Sequence, residues 1–276
     1  MIKSKKTVAI IAMVVMVLGL VAGCSSKTET AVPKVENVEI TIAGSTSVQP
    51  ISELLAENFM QNNPNIKVNV QGGGSGAGIK AAQTNAADVG ASSRDLKTEE
   101  KGLVETVICK DGIAIVVNPQ NPVKNLSLEQ IRKIFTYEIT NWSQVGGDDQ
   151  EITVVTREEG SGTRGAFEEL VMDEQPISDK AIVQNSTGAV RTTAAGDPNA
   201  IGFISLASMD ETVKAVTVEG VQASVANIQN GTYKIQRPFL YLTTEEPSGA
   251  IKTYFDFVMS AEGQSLIESE GLISAK

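Results

Sequence analysis

The sequence predicts an α/β protein, on three observations. Segments with strand character alternate with segments of helical apolar spacing along most of the chain. One strand, "GIAIVVN" (Gly112–Asn118), is apolar without alternation, as expected where both faces of a sheet are covered. Three strands run directly into Gly/Ser/Thr clusters that open helices: "AGSTSVQP" (43–50), "QGGGSGAGIK" (71–80) and "TREEGSGTRGAF" (156–167).

The elements follow in order. "VEITIAG" (Val38–Gly44) reads as a strand, and "STSVQPISELLAENFMQNNP" as a helix with Ile51, Leu54, Leu55 and Phe59 at helical spacing and Pro64 beyond its end. "IKVNVQ" (Ile66–Gln71) alternates as a strand; the glycine loop and a helix through Thr84 follow, then a short buried strand at "DVGASS". After Gly112–Asn118 the two prolines of "NPQNP" break the pattern and mark a crossing between domains. "LSLEQIRKIF" opens a helix with Ser127 as N-cap and Gln130 three residues on, a capping box. "EITVVT" (Glu151–Thr156) is a strand feeding a helix that carries Phe167, Leu170 and Val171 on one face. "AIGFISL", "VKAVTV" and "RPFLYLT" (Arg237–Thr243) read as strands, and "GAIKTYFDFVMS" and "EGQSLIES" as closing helices.

The N-terminus reads as an export signal. "MIKSKK" is basic, Thr7–Leu20 is almost wholly apolar, and "LVAGC" sets small residues before Cys24. That apolar run is too short, and flanked wrongly, for a spanning helix. "VAGC" resembles a lipobox, in which residues 1–23 are cut away and the Cys24 thiol receives a diacylglycerol; an ordinary signal with a chance cysteine is the bland alternative. A glyceride with a further acyl chain gives the multi-chain anchoring that stable attachment to a lipid bilayer needs. Residues 24–36, polar and without apolar period, read as a tether. With Cys24 acylated, Cys109 has no partner for a disulfide.

Composition narrows the function. The 276-residue chain carries formal charge −10, and the signal takes Lys3, Lys5 and Lys6 with it and no acid. So acidic a chain is not built to neutralise nucleic-acid phosphates, and an anionic ligand must be held by contact rather than drawn in by long-range field. Histidine is absent, which removes Ser-His-Asp and Cys-His nucleophiles, the commonest general base and most zinc sites. No cofactor or metal is implied.

The three donor loops carry the rest. A helix N-terminus presents free N–H groups and a partial positive charge, hydroxyls add donors, and glycine lets the backbone approach a ligand closely. Any one such loop is also what ordinary helix capping produces; the third, with arginines inside it, points to an oxyanion. "GGGSGA" (Gly72–Ala77) fits a loose dinucleotide fingerprint, rejected because the pattern is short and an exported chain is no place for a nucleotide-binding domain; the same loop approaches a P-loop, rejected because Ile79 stands where lysine is required. A planar guanidinium matches an oxyanion bidentately and stays charged. Arg157, at the end of its strand, is placed to face a ligand, with Glu159 as its expected partner, in that role or as an ordinary ion pair. Arg164, one helical turn on, is expected to point outward.

These segments, together with "DVGASSRDL", "GIAIVVNPQNPV" and "IFTYEITNW", resemble the phosphate-binding proteins of ABC phosphate transporters, the PstS-like family with the periplasmic-binding-protein fold. The likeness runs over residues 38–276. It implies a type II, two-lobed α/β fold with a cleft between lobes joined by crossing strands, residues 37–118 plus 237–276 forming one lobe and 119–236 the other. It implies an extracytoplasmic, non-enzymatic receptor that closes over inorganic phosphate and delivers it to the permease and ATPase subunits of an importer. Carried over by motif, Thr46 and Ser47, Ser75, Arg157, Ser161, Gly162 and Thr163 hold the ligand. One position departs: Ser93, followed by Arg94, stands where better-known members have an aspartate that accepts the ligand's P–OH. A carboxylate there rejects a fully deprotonated anion such as sulfate; a hydroxyl, able to donate or accept, rejects it less. Either Asp95 or another acceptor substitutes, or selectivity is softer, while Arg94 adds a cationic contact or pairs with an acid outside. The rival readings are a receptor for sulfate, molybdate or a phosphonate, a secreted phosphatase, and a surface phosphate sensor or adhesin.

Overall fold

The computed structural model describes residues 37–173 and 175–275; the proposed signal (1–23), Cys24 and the tether (24–36) lie outside the described residues. In chain order the strands are β1 (Val38–Gly44), β2 (Ile66–Gly72), β3 (Val89–Ser92), β4 (Val104–Val117), β5 (Asn125–Leu126), β6 (Thr153–Arg157), β7 (Ile182–Gln184), β8 (Ala200–Ser205), β9 (Lys214–Ala215), β10 (Thr217–Val218), β11 (Gln236–Thr243) and β12 (Ile273–Ser274). The helices are α1 (Gln49–Asn62), α2 (Ser75–Gln83), α3 (Leu128–Phe135), α4 (Gly162–Leu170), α5 (Thr187–Gly196), α6 (Val225–Gln229), α7 (Gly249–Val258) and α8 (Ala261–Ser269).

One sheet runs through the molecule in the order β2-β1-β3-β11-β4-β8-β6-β7. β1, β2 and β3 are parallel, and so are β6, β7 and β8; β11 lies antiparallel to β3 and β4, and β4 antiparallel to β8. Two large apolar cores share this sheet, beside a small cluster of Ile79, Leu240 and Leu242. One gathers residues 40–109 and 239–272, with α1, α7 and α8 packed on it; the other gathers residues 113–235. β4 serves both, with Ile108 and Cys109 in the first and Ile113–Val117 in the second, so it changes core at Lys110–Gly112, ahead of the Asn118–Pro122 break. β11 makes the same passage beside it, Arg237 opposite Asp111. This is the two-lobed α/β architecture with crossing strands that the resemblance implied. Because β4 and β8 run oppositely, the C-terminal ends of β1 and β3 in one lobe face those of β6 and β8 in the other across the crossing. Open α/β sheets bind ligands outside such strand ends.

Local sequence explains much of this placement. Ser127 caps α3 by accepting from the Gln130 N–H at 3.1 Å while the Gln130 side chain accepts from the Ser127 N–H at 2.9 Å, closing the expected box. Three readings need correcting. β4 begins at Val104, eight residues before the apolar run, because its first half alternates in exposure and carries Lys110 and Asp111. Leu170 is exposed at the end of α4, and Ala166 takes its place beside Phe167 and Val171 in the core. "VKAVTV" forms two strands of two residues each, β9 and β10.

The close fit of α2 on the sheet depends on Gly78. A methyl group there would lie 2.4 Å from the Ala43 carbonyl oxygen and 2.5 Å from the Gly44 Cα, both backbone atoms. We expect Gly78→Ala to lower stability by about 1–3 kcal/mol, the usual range for overpacking, despite alanine's better helix propensity. A chemical denaturation curve checks this; an unchanged midpoint would show that α2 can shift freely.

Candidate functional site

Four helix N-termini meet at the crossing. α1 and α2 come from the first core, α4 and α5 from the second. Each follows a parallel strand through a short turn, so the N–H groups of its first turn point inward and its dipole presents positive charge. The hydroxyls on these turns are buried: Ser45 and Ser47 before α1, Ser75 opening α2, Ser93 after β3, Ser161 and Thr163 at α4, and Thr187 at α5.

Apart from Ser161, these hydroxyls form one network between the lobes, its two halves linked where the Ser47 N–H donates to Ser45 Oγ at 3.2 Å. Ser47 Oγ lies 2.8 Å from both Thr163 Oγ1 and Thr187 Oγ1. Ser45 Oγ donates to Ser93 Oγ at 2.9 Å, and Ser75 Oγ accepts from the Ser93 N–H at 3.1 Å. Thr46 Oγ1 accepts from the Thr187 N–H and from Arg157 Nη2, each at 3.2 Å. The Gly76 N–H donates to the Gly160 carbonyl at 2.9 Å. Glycine leaves room for the hydroxyls where the walls meet: a methyl on Gly162 would lie 2.2 Å from Ser75 Oγ and 2.6 Å from Ser93 Oγ and would displace both.

Arg157 is the cation of this network, 1% exposed. Nη1 donates to Thr187 Oγ1 at 3.1 Å, while Nε and Nη2 each donate to the Glu158 carboxylate at 2.9 Å. The partner is therefore Glu158 and not Glu159, which is exposed. The acid adjacent in sequence folds back along the guanidinium edge, leaving Nη1 and part of Nη2 turned to the hydroxyls. Arg164 points away as expected: Nε donates to Glu168 Oε1 at 2.7 Å and Nη1 to the Arg157 carbonyl at 3.0 Å.

Of the residues singled out in the sequence, Thr46, Ser47, Ser75, Ser93, Arg157, Gly162 and Thr163 are brought together. Ser161 caps α4, accepting from the Arg164 N–H at 3.2 Å, and so sets the helix N-terminus that the others share. Arg94 is not joined to the hydroxyls. Its guanidinium holds Glu100 through two hydrogen bonds of 2.6 and 2.8 Å, and its stem packs on Gly165. That ion pair, chiefly its hydrogen bond, keeps the Glu100 carboxyl below the usual carboxylate range. Sequence reasoning missed Ser45 and Thr187. "VQNSTGAV" repeats the strand–hydroxyl–helix grammar of the other three loops, so the signal for Thr187 was present.

A site of this kind, donors on four helix starts with one buried guanidinium, suits a small tetrahedral oxyanion. Comparison with known proteins gives the lineage. The chain matches the PBP superfamily domain over residues 25–262. It is 35% identical over 242 residues to the phosphate-binding protein PstS of Bacillus subtilis, covering 85% of this chain and 80% of that protein. The chain belongs to the PBP superfamily and, within it, to the PstS family. It is 29% identical to the PstS of Borreliella burgdorferi, over 86% of this chain and 90% of that protein. Among solved structures it superposes with a TM-score of 0.83 on a phosphate ABC transporter substrate-binding protein from Clostridium perfringens with bound phosphate, at 43% identity over 86% of this chain and all of that one. An ABC-type phosphate transport receptor from Vibrio cholerae gives a TM-score of 0.72 at 42% identity, over 85% and 99% of the two chains. The two-lobed fold and the PstS resemblance read from the sequence are thus borne out.

Among the described residues no helix is long and apolar enough to cross a membrane, and no group of three or more His, Cys, Asp or Glu side chains is placed to hold a metal ion.

Proposed function

We propose that this protein is an extracytoplasmic receptor that binds inorganic phosphate and hands it to the permease and ATPase subunits of an ABC importer. The observation that carries the reading is the convergence of buried hydroxyls from two lobes on the exposed edge of Arg157. Thr46, Ser47, Ser75, Ser93, Arg157, Gly162 and Thr163 are the proposed contacts, with Ser45 and Thr187 added and Arg94, paired with Glu100, left out. The two lobes would close about Lys110–Gly112 and Gln236–Pro238, where the strands change core. Closure over a dehydrated anion makes each donor count for more than it would in water, which suits a protein whose net charge repels its ligand. The protein performs no chemistry in this reading. Removal of residues 1–23 and acylation of Cys24 would tether it to the bilayer.

Calorimetric titration of the soluble part with phosphate and with sulfate tests this. Micromolar or tighter phosphate binding is expected; none would end the reading. Ser93 gives a specific reason to hold a second reading in view, a receptor for another oxyanion. Ser93 Oγ, flanked by Ser45 and Ser75 hydroxyls, can accept from a protonated ligand or donate to a deprotonated one. Ser93→Asp installs an acceptor only, and an unmatched buried acceptor costs about 1–3 kcal/mol. We expect it to weaken sulfate relative to phosphate by roughly tenfold or more. An unchanged ratio in paired titrations would show that Ser93 does not set the preference.

A further inference from the structure

The crossing strands carry a second charged group that the site as described leaves unused. Asp111 on β4 and Arg237 on β11 are direct cross-strand partners and almost wholly buried. Arg237 Nε and Nη2 donate to Asp111 Oδ2 at 3.2 and 3.0 Å, and Ser205 Oγ at the end of β8 donates to Asp111 Oδ1 at 2.9 Å. Both carboxylate oxygens are thereby used. Arg237 Nη1 is not: it is buried and has no hydrogen-bond partner. Folded proteins seldom leave a buried charged donor unmatched, since doing so costs more than the bond is worth.

Its place in the fold says what it is for. Ser92 lies opposite Leu240 of β11, so the end of β3 that carries Ser93 stops just short of the Arg237 level. On the other side Ile113 of β4 lies opposite Ser205, the end of β8, and Arg157 ends the strand next to β8. The Asp111–Arg237 pair therefore forms the floor between the two strand ends that bear Ser93 and Arg157. Arg237 also feels the charge of Arg157, one of the influences that lower its pKa after burial itself. The two guanidinium groups thus influence each other's charge, and one of them carries an unpaired donor.

We propose that Arg237 is a second cationic contact of the oxyanion site, with Asp111 and Ser205 orienting the guanidinium so that Nη1 is offered to the ligand from the cleft floor. The proposal rests on the phosphate reading. It also answers how Ser93 is tolerated: added cationic character on the floor offsets the missing carboxylate by favouring the more highly charged form of the ligand.

The test is the Asp111→Asn/Arg237→Gln pair, which removes both charges and keeps a hydrogen bond between the strands. Thermal unfolding establishes that the variant folds. Phosphate affinity of wild type and variant is then measured above and below the second ionisation of phosphate. The titratable groups beside Arg237 do not blur this profile: Asp111 is replaced, and burial pushes the nearby Cys109 and Tyr233 well up. The chain has no histidine to titrate in that window. A cationic contact predicts a loss on the order of tenfold or more, larger where the ligand is a dianion. A folded variant that binds within twofold of wild type, or loses the same factor at both pH values as a hinge effect would, overturns the proposal. The wild-type titration in the same series reports separately on the phosphate reading.

Discussion

Arg157→Ala is expected to fold and to bind phosphate at least thirtyfold more weakly. Arg157 is 1% exposed and sits where four helix starts converge, so the anion it would meet has lost its water. Truncating one partner of a buried, hydrogen-bonded charge pair costs about 2–5 kcal/mol, roughly a thirtyfold to several-thousandfold rise in Kd. Stability should suffer far less, because the carboxylate left behind, Glu158, keeps 29% of its side chain exposed and can be hydrated. Arg157→Lys should fall between, since an ammonium cannot hold Glu158 and a ligand through separate edges as the planar fork does. Calorimetry beside a melting curve separates binding from folding. Normal phosphate affinity in a folded Arg157→Ala protein would remove Arg157 from the site and the proposed cage with it.

What the sequence disclosed was local and what it hid was distant. The capping box at Ser127, the strand before Ser45 and the donor clusters at 43–50, 71–80 and 156–167 are written in consecutive residues, where propensity and capping act. Glu158 was mistaken for Glu159 because the turn after β6, rather than spacing, decides which acid folds back on Arg157. Thr187 escaped although "VQNSTGAV" repeats the loop grammar, because β7, three residues long with Ile182 and Val183 exposed, makes the strand half of that signal faint. The floor of the cleft was out of reach altogether. Lys110 and Asp111 stand just before the strand expected from Gly112, yet β4 already runs through them because Asp111 finds Arg237, 126 residues away. A charge in mid-strand is intelligible only once its partner is known.

That pairing makes Asp111→Ala the most damaging single change we expect for stability. Removing one member of a buried ion pair leaves the other charge desolvated and uncompensated, which costs about 3–5 kcal/mol. Arg237 would be left with no carboxylate on any nitrogen, and Ser205 Oγ would lose its acceptor as well. For a folded region of this size the melting temperature should drop on the order of 10 °C. The intact pair is not thereby a large stabiliser, because burial opposes the charge on both groups, raising the Asp111 pKa and lowering that of Arg237. The Asp111→Asn/Arg237→Gln protein should accordingly melt well above Asp111→Ala, although it carries one more substitution. The reverse order would mean that the attraction between the charges outweighs their desolvation, and that the pair is kept for stability. If the expected order holds, the pair's contribution to folding is too small to explain two charges buried at the floor of the cleft, and binding is what remains to explain them.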